Sequence, residues 1–232
     1  VPPGETEESW FIKEVEKGLQ LRYPGGISDA VRKQALLPHA VTGKEHWSAA
    51  SRGNTGDGLR LGEAAGGIVK GDLAQCAALA PVSLVPRPDG SVAHFPHLVE
   101  RAKPGLVAVL PNGKRFTNEA DSYHDFMQAL LNATPAGEPA QAWLLCDHAF
   151  IRRYGLGAVK PAPMSMHSML ANGYLLSGDT LSELAAACDM DAQGLQATVQ
   201  RYNALALVGR DTDFAKGETP YNRIQGDAAY AQ

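Results

Sequence analysis

Three cysteines, Cys76, Cys146 and Cys188, are spread far apart through 232 residues, each inside an apolar run. An odd, scattered set gives no disulfide framework and no Cys-x-x-Cys pair, and cysteine in such a setting behaves as a small core residue. The expectation is a reduced, cytoplasmic protein. Long apolar runs are missing too. None approaches the ~20 residues of a membrane-spanning helix, and the acidic start VPPGETEES lacks the positive region of a secretory signal. Positive charge is in deficit. The formal net charge is -4, with lysine and arginine dispersed, whereas nucleic acid asks for a basic stripe along its phosphates. The seven histidines are scattered as well, and His94 and His97 lack a thiol or carboxylate at ligand spacing, so no metal site is expected. Gly-x-Ser-x-Gly, the Walker loop and Gly-x-Gly-x-x-Gly are all absent, which removes the positional signatures of serine hydrolases, nucleotide hydrolases and an intact dinucleotide turn.

What is present suits a folded core: 44% apolar and 20% charged residues. The spacing of Trp10, Ile12, Val15, Leu19 and Leu21 predicts a helix over residues 8–21, and a second is expected over residues 28–37, ahead of Pro38. Residues 42–54 read as a polar loop. Thr55-Gly56-Asp57-Gly58 then opens a short capped helix that ends at Gly66-Gly67. Pro86-Arg87-Pro88-Asp89-Gly90 reads as a turn, with a change of domain plausible nearby. Residues 106–110 form a strand, Pro111-Asn112-Gly113-Lys114 a hairpin turn, and Arg115-Phe116-Thr117 the start of the returning strand. Phe126, Met127, Leu130 and Leu131 supply one helical face, and residues 142–146 a buried strand. Thr180-Leu181-Ser182-Glu183 fits a capping box. Asp191 caps the next helix, striped by Leu195, Val199, Tyr202 and Ala206. Residues 211–232 look too polar for a core of their own.

The richest chemistry lies in residues 114–124, KRFTNEADSYH, between a hairpin and a helix. Two readings stand for it. In one, Arg115 and Glu119 form a surface ion pair, Asn118 or Ser122 caps a helix, and Tyr123 is half-buried. In the other, these groups serve a reaction. The glycines of residues 53–58 likewise serve either as helix capping or as a binding turn, with no strand before them to support a dinucleotide fingerprint.

The blocks Pro104-Gly105-Leu106-Val107-Ala108-Val109 and Asn112-Gly113-Lys114-Arg115-Phe116-Thr117-Asn118-Glu119-Ala120 resemble the cap-domain signature of the fumarate reductase/ketosteroid dehydrogenase flavoproteins. Residues 53–67, Pro81-Val82-Ser83, Gly178-Asp179-Thr180-Leu181 and Arg201-Tyr202-Asn203 fall in the matching order, so the similarity runs over residues 38–227. It implies an α+β substrate-capping domain at residues 77–227, preceded by a partial FAD-binding remnant at residues 1–76 and followed by a tail at 228–232. It also implies FAD as cofactor, with Thr55, Gly56, Asp57 and Gly58 on the cofactor side, and hydride exchange at a carbon beside a carbonyl of a ketosteroid-like small molecule. Tyr123 follows the Asn-Glu pair at the spacing of the ketosteroid dehydrogenase base and takes that role, with Glu119 and Arg115 as catalytic companions. Ser83, His97 and Ser122 are the candidate substrate neighbours. The fumarate reductases carry an arginine where Ser122 stands, which disfavours fumarate as substrate. The dinucleotide turn expected upstream and the closing segment expected downstream are not in the sequence, which begins on Val1. The expectation is therefore a fragment that holds FAD poorly by itself. The competing reading is a non-catalytic cap that binds a small molecule or self-associates through apolar surface.

Overall fold

The computed structural model describes residues 10–20, 56–70, 77–135 and 138–230. The helix expected at residues 28–37, the loop at 42–54, Thr55 and Cys76 lie outside these.

Among the described residues, six strands make one antiparallel sheet: β1 (Trp10–Gln20), β2 (Leu79–Pro86), β3 (Val92–Pro96), β4 (Val107–Val109), β5 (Ala142–Asp147) and β6 (Leu176–Gly178). The order is β3-β2-β1-β5-β4, with β6 also paired to β1. Residues 10–20 are thus a strand, correcting the helix expected there. One edge of β1 pairs with β5 from Trp10↔Asp147 to Val15↔Ala142. Its other edge takes β6 at Trp10–Ile12 and β2 at Glu16–Gln20. Between Glu16↔Val82 and Leu19↔Ala80 three steps of β1 face two of β2, which is a bulge. A bulge resets the two-residue alternation, and the apolar spacing across it imitates a helix.

Helices cover both faces of the sheet. Ala108, Leu144 and Cys146 point into a cluster with Phe126, Met127 and Leu130 of α2 (Tyr123–Ala133) and Phe150 and Ile151 of α3 (His148–Tyr154). The intervening Val107, Val109, Trp143 and Leu145 point the opposite way, against Leu184 and Ala185 of α5 (Leu181–Ala187) and Leu195 and Val199 of α6 (Ala192–Leu207). This alternation follows from the strand period of two, and burial on both faces explains why β4 and β5 are apolar at every position up to Cys146. Each fully buried side chain of this size contributes about 1.5–3 kcal/mol.

The remaining helices are short: α1 (Asp57–Ala64), α4 (His167–Ala171) and α7 (Pro220–Gln225). The expected helix before Gly66 is α1; it has no buried residue. The capping box is present with one change: Thr180 accepts from the Glu183 amide, but Glu183 accepts from the Asp179 amide rather than from that of the cap. Asp191 caps α6 as expected. On α6 Ala206 is exposed and Leu205 is buried, so the stripe drifts by one residue toward the helix end. The hairpin turn after β4 forms, with Leu110 N–H donating to Lys114 O at 3.0 Å, while the returning strand reduces to a single bridge, Val109↔Arg115. Gly113 at φ +73° allows this turn to sit against α6: a Cβ there would lie 2.2 Å from Leu195 N, closer than any side chain tolerates. Among the described residues no helix is long and apolar enough to cross a membrane.

Candidate active site

After the hairpin turn the returning strand stops at the single bridge, and the polar groups that follow are held by side chains. Arg115 forms a bidentate pair with Glu119, at 2.9 and 2.8 Å, and a second with Asp211, at 3.2 and 2.9 Å. Its guanidinium lies 5.1 and 4.8 Å from the ring centroids of Tyr202 and Phe214, within the range of cation–π attraction. Glu119 is fully buried, and its oxygens also accept from the Ala108 amide at 3.0 Å and face Lys216 Nζ at 3.4 Å. Burial alone would push this carboxyl up; Lys216 and Arg115 outweigh that and hold it below its ordinary value. Asp211 behaves alike, burial being overcome by the Arg115 pair and by backbone amides. Burial likewise pulls Arg115 down, and the two carboxylates carry it above the usual arginine range. Four charges thus neutralise one another inside the protein, the condition under which buried ions are tolerated.

Beyond Glu119 every carbonyl of residues 119–121 is held. Arg101, 1% exposed, donates to Glu119 O at 2.8 Å, to Asp121 O at 3.4 Å and to His97 O at 2.9 Å. Its burial draws its pKa down to about 10, and the Phe126 ring lies 4.6 Å away. Ala120 O accepts from Asn222 at 3.0 Å. Ser122 then caps α2, accepting from the Asp125 amide at 3.1 Å and donating to the Asp125 carboxylate at 2.8 Å. Tyr123 is the first residue of α2 and is half-buried. Among the described residues no hydrogen bond engages its hydroxyl. The next residue, His124, accepts from the Leu79 amide at 3.2 Å and ties this turn to β2.

Ser83 and His97 lie in a second chain of bonds. His97 Nδ1 meets Glu100 Oε1 at 2.5 Å, His97 Nε2 meets Ser83 Oγ at 2.8 Å, and Ser83 Oγ meets the Tyr174 hydroxyl at 2.7 Å. The Ala158 amide donates to that hydroxyl, so one continuous run of bonds leads from Ala158 through Tyr174, Ser83 and His97 to Glu100. Ser83 and His97 are both fully buried. Lys13 Nζ stands 4.5 Å over the Tyr174 ring. Arg101 joins the two networks, binding His97 O on one side and Glu119 O on the other. Gly56, Asp57 and Gly58 are at the start of α1, where Gly56 takes φ +83°, no side chain caps the helix, and Asp57 pairs with Arg60.

The structure pairs Arg115 with Glu119, sets Ser122 and Tyr123 at the start of α2, and adds Arg101, Asp211, Lys216 and Asn222, which the sequence reading did not single out. A signal was available for Arg101, directly after Glu100 and just before the Pro-Gly of the motif. None marked the last three, which reach the motif from about a hundred residues away.

Comparison with known proteins gives concordant results. The family described as FAD binding domain matches residues 18–231. The 4-oxocyclohex-2-ene-1-carboxylate 5-dehydrogenase of Sinomonas cyclohexanicum is 36% identical over 214 residues, which are 92% of this chain and 36% of that protein. The 3-oxosteroid 1-dehydrogenase of Mycobacterium tuberculosis is 35% identical over 187 residues, covering 78% of this chain and 32% of the relative. Among solved structures, 3-ketosteroid delta1-dehydrogenase from Sterolibacterium denitrificans, in complex with 1,4-androstadiene-3,17-dione, superposes with a TM-score of 0.63 at 28% identity, over 80% of this chain and 33% of its own. The chain thus spans about a third of the length of these relatives.

Proposed function

Because the chain belongs to the FAD binding domain family, with FAD as its cofactor, we propose that it is the substrate-facing part of an FAD-dependent dehydrogenase that desaturates a cyclic ketone beside the carbonyl. The cyclic ketone is supported by the names of the relatives, an oxocyclohexene carboxylate and a 3-oxosteroid dehydrogenase. In this reading residues 77–227, with β1 as their central strand, form the substrate cap of a longer protein, and the segment ahead of residue 77 belongs largely to the cofactor domain.

One observation carries the assignment of the proton: Tyr123 is half-buried with a hydroxyl that no described residue engages, while every carbonyl of the three residues 119–121 is fixed. A half-buried hydroxyl with no partner among the described residues, at a helix start and on a loop whose carbonyls are all held, is placed to meet a ligand. FAD, when bound, supplies the hydride exchange. Tyr123 takes the proton from the carbon adjacent to the ketone, Ser122 lies beside it at the cap, and Glu119 and Arg115 hold the loop from behind. The polar atoms of Ser83 and His97 are already satisfied within the protein, so they support the wall of the site through Arg101. Toward the cofactor, the uncapped amide end of α1 at Gly56, Asp57 and Gly58 fits an anionic group, and Thr55 precedes it.

The test has two parts. In the longer protein, Tyr123→Phe should lower kcat by about 100-fold or more, as expected for loss of a general base; full turnover would remove the assignment. The purified chain, dialysed against FAD and scanned, should show little absorbance near about 450 nm if it holds flavin weakly by itself. A strong band there would show that the cofactor site is more complete than this reading holds.

A further inference from the structure

We propose that Asn222 is a positioning residue for the reaction, fixing from α7 the loop that aims Tyr123; this rests on Tyr123 being the proton-handling group. Asn222 is 2% exposed, and all four of its hydrogen-bonding positions are used. Its Nδ2 donates to Ala120 O and to Asp121 Oδ1, both at 3.0 Å. Its Oδ1 accepts from Asn118 Nδ2 at 2.9 Å and from the Gly217 amide at 3.2 Å. Asn118 closes the circuit on its own side, its Oδ1 accepting from the Ala120 amide at 2.9 Å. One side chain therefore grips residues 118, 120 and 121, the stretch leading into the helix whose first residue is Tyr123.

The support under Asn222 is itself anchored. Thr219 caps α7 by accepting from the Asn222 amide at 3.1 Å. Lys103 Nζ donates to the last carbonyls of that helix, Gln225 O at 2.8 Å and Gly226 O at 2.6 Å, and Arg223 returns to Gly217 O at 3.1 Å. A six-residue helix cannot hold a loop by its own stability; pinned at both ends, it can. The amide group is specific for this task, because the grip needs two donors and two acceptors on one planar group, which no carboxylate or hydroxyl provides.

The experiment compares the chain with its Asn222→Asp variant, which keeps size and both acceptor contacts but turns the two donated bonds into repulsions against Ala120 O and Asp121. Ring-labelled tyrosine NMR reads the result, with the Tyr123 resonance assigned by its disappearance in Tyr123→Phe. The Tyr123 resonance should shift or split, while those of Tyr154 and Tyr174, held by their own bonds to Asp227 and Ser83, should stay in place. Adding Asp121→Asn, which restores a donor across the gap, should bring the Tyr123 signal part of the way back. In the longer protein the single variant should lose about 10- to 100-fold in kcat, the scale of an ångström-level misplacement, with KM within about twofold. An unmoved Tyr123 resonance overturns the proposal, and so does movement of all three tyrosines together, which would make Asn222 a general support of the fold. If Asn222→Asp does not fold, Asn222→Ser, with one hydroxyl and no added charge, takes its place under the same criteria. The resonance is read on Tyr123 itself, so a failure here is distinct from a failure of the base assignment, which Tyr123→Phe turnover decides.

Discussion

The two polar networks joined by Arg101 solve the same problem, keeping polar groups inside a protein, by opposite means. Around Glu119 the solution is charge: two carboxylates, one guanidinium and one ammonium, each with partners of the other sign. Around His97 it is a chain of bonds through Tyr174, Ser83 and His97 that ends on the Glu100 carboxylate, with Lys13 over the Tyr174 ring. Ionic pairing tolerates almost no editing, because removing one member strands the others away from water. A chain of neutral bonds fails more gently. Arg115 and Glu119 of the motif are held by the first kind, and Ser83 of β2 by the second.

The sharpest way to break this comparison is Glu119→Ala. It leaves Arg115 and Lys216 buried with one carboxylate between them and should cost about 3–5 kcal/mol of stability, read by chemical denaturation. A loss under about 1 kcal/mol would show that the pairing contributes little.

Acid should act next, and less severely, since protonation leaves the side chains in place. Glu119 and Asp211 are both held below their ordinary values of 4.5 and 3.8. For a depressed carboxyl the stabilisation is complete above the ordinary value and is lost as pH falls through the folded one. Stability should hold down to about pH 4.5 and fall steadily below it. Asp211→Asn should flatten that fall in a pH series of unfolding curves, and an unchanged slope would exclude Asp211 as a source.

The smallest effect is expected from Ser83→Ala, which leaves His97 Nε2 and the Tyr174 hydroxyl facing each other across a gap. The cost should be about 1–3 kcal/mol, the range for buried groups left without a partner. A loss as large as that of Glu119→Ala would erase the distinction between the networks.

The sequence made legible what is local. The Asn-Gly turn, the Thr180 and Asp191 caps and the apolar run of β5 each depend on residues a few positions apart, and all four formed. It failed where distant chain decides. Residues 10–20 look helical only until a sheet offers them two edges, from residues 79–86 and 142–147; Gly18, a poor helix residue, and the β-favouring Trp10, Phe11, Ile12 and Val15 were the available warning. The site was legible in part for the same reason. Arg115, Glu119, Ser122 and Tyr123 are neighbours in the motif, whereas Asp211, Lys216 and Asn222 come from a stretch judged too polar for a core. Its polarity is the point, because what it packs against is a set of charges and carbonyls rather than an apolar surface.

The central place of β1 sets a condition on how this body can be assembled. Its first half faces β5 and its second half faces β2, so among the described strands it ties the β2-β3 hairpin to the β4-β5 pair. Cutting the chain at residue 77 would leave two half-sheets with bare edges, the kind that seek strands from other molecules. The sheet has its keystone delivered from ahead of residue 77, and it closes only when the earliest described segment threads back through the middle.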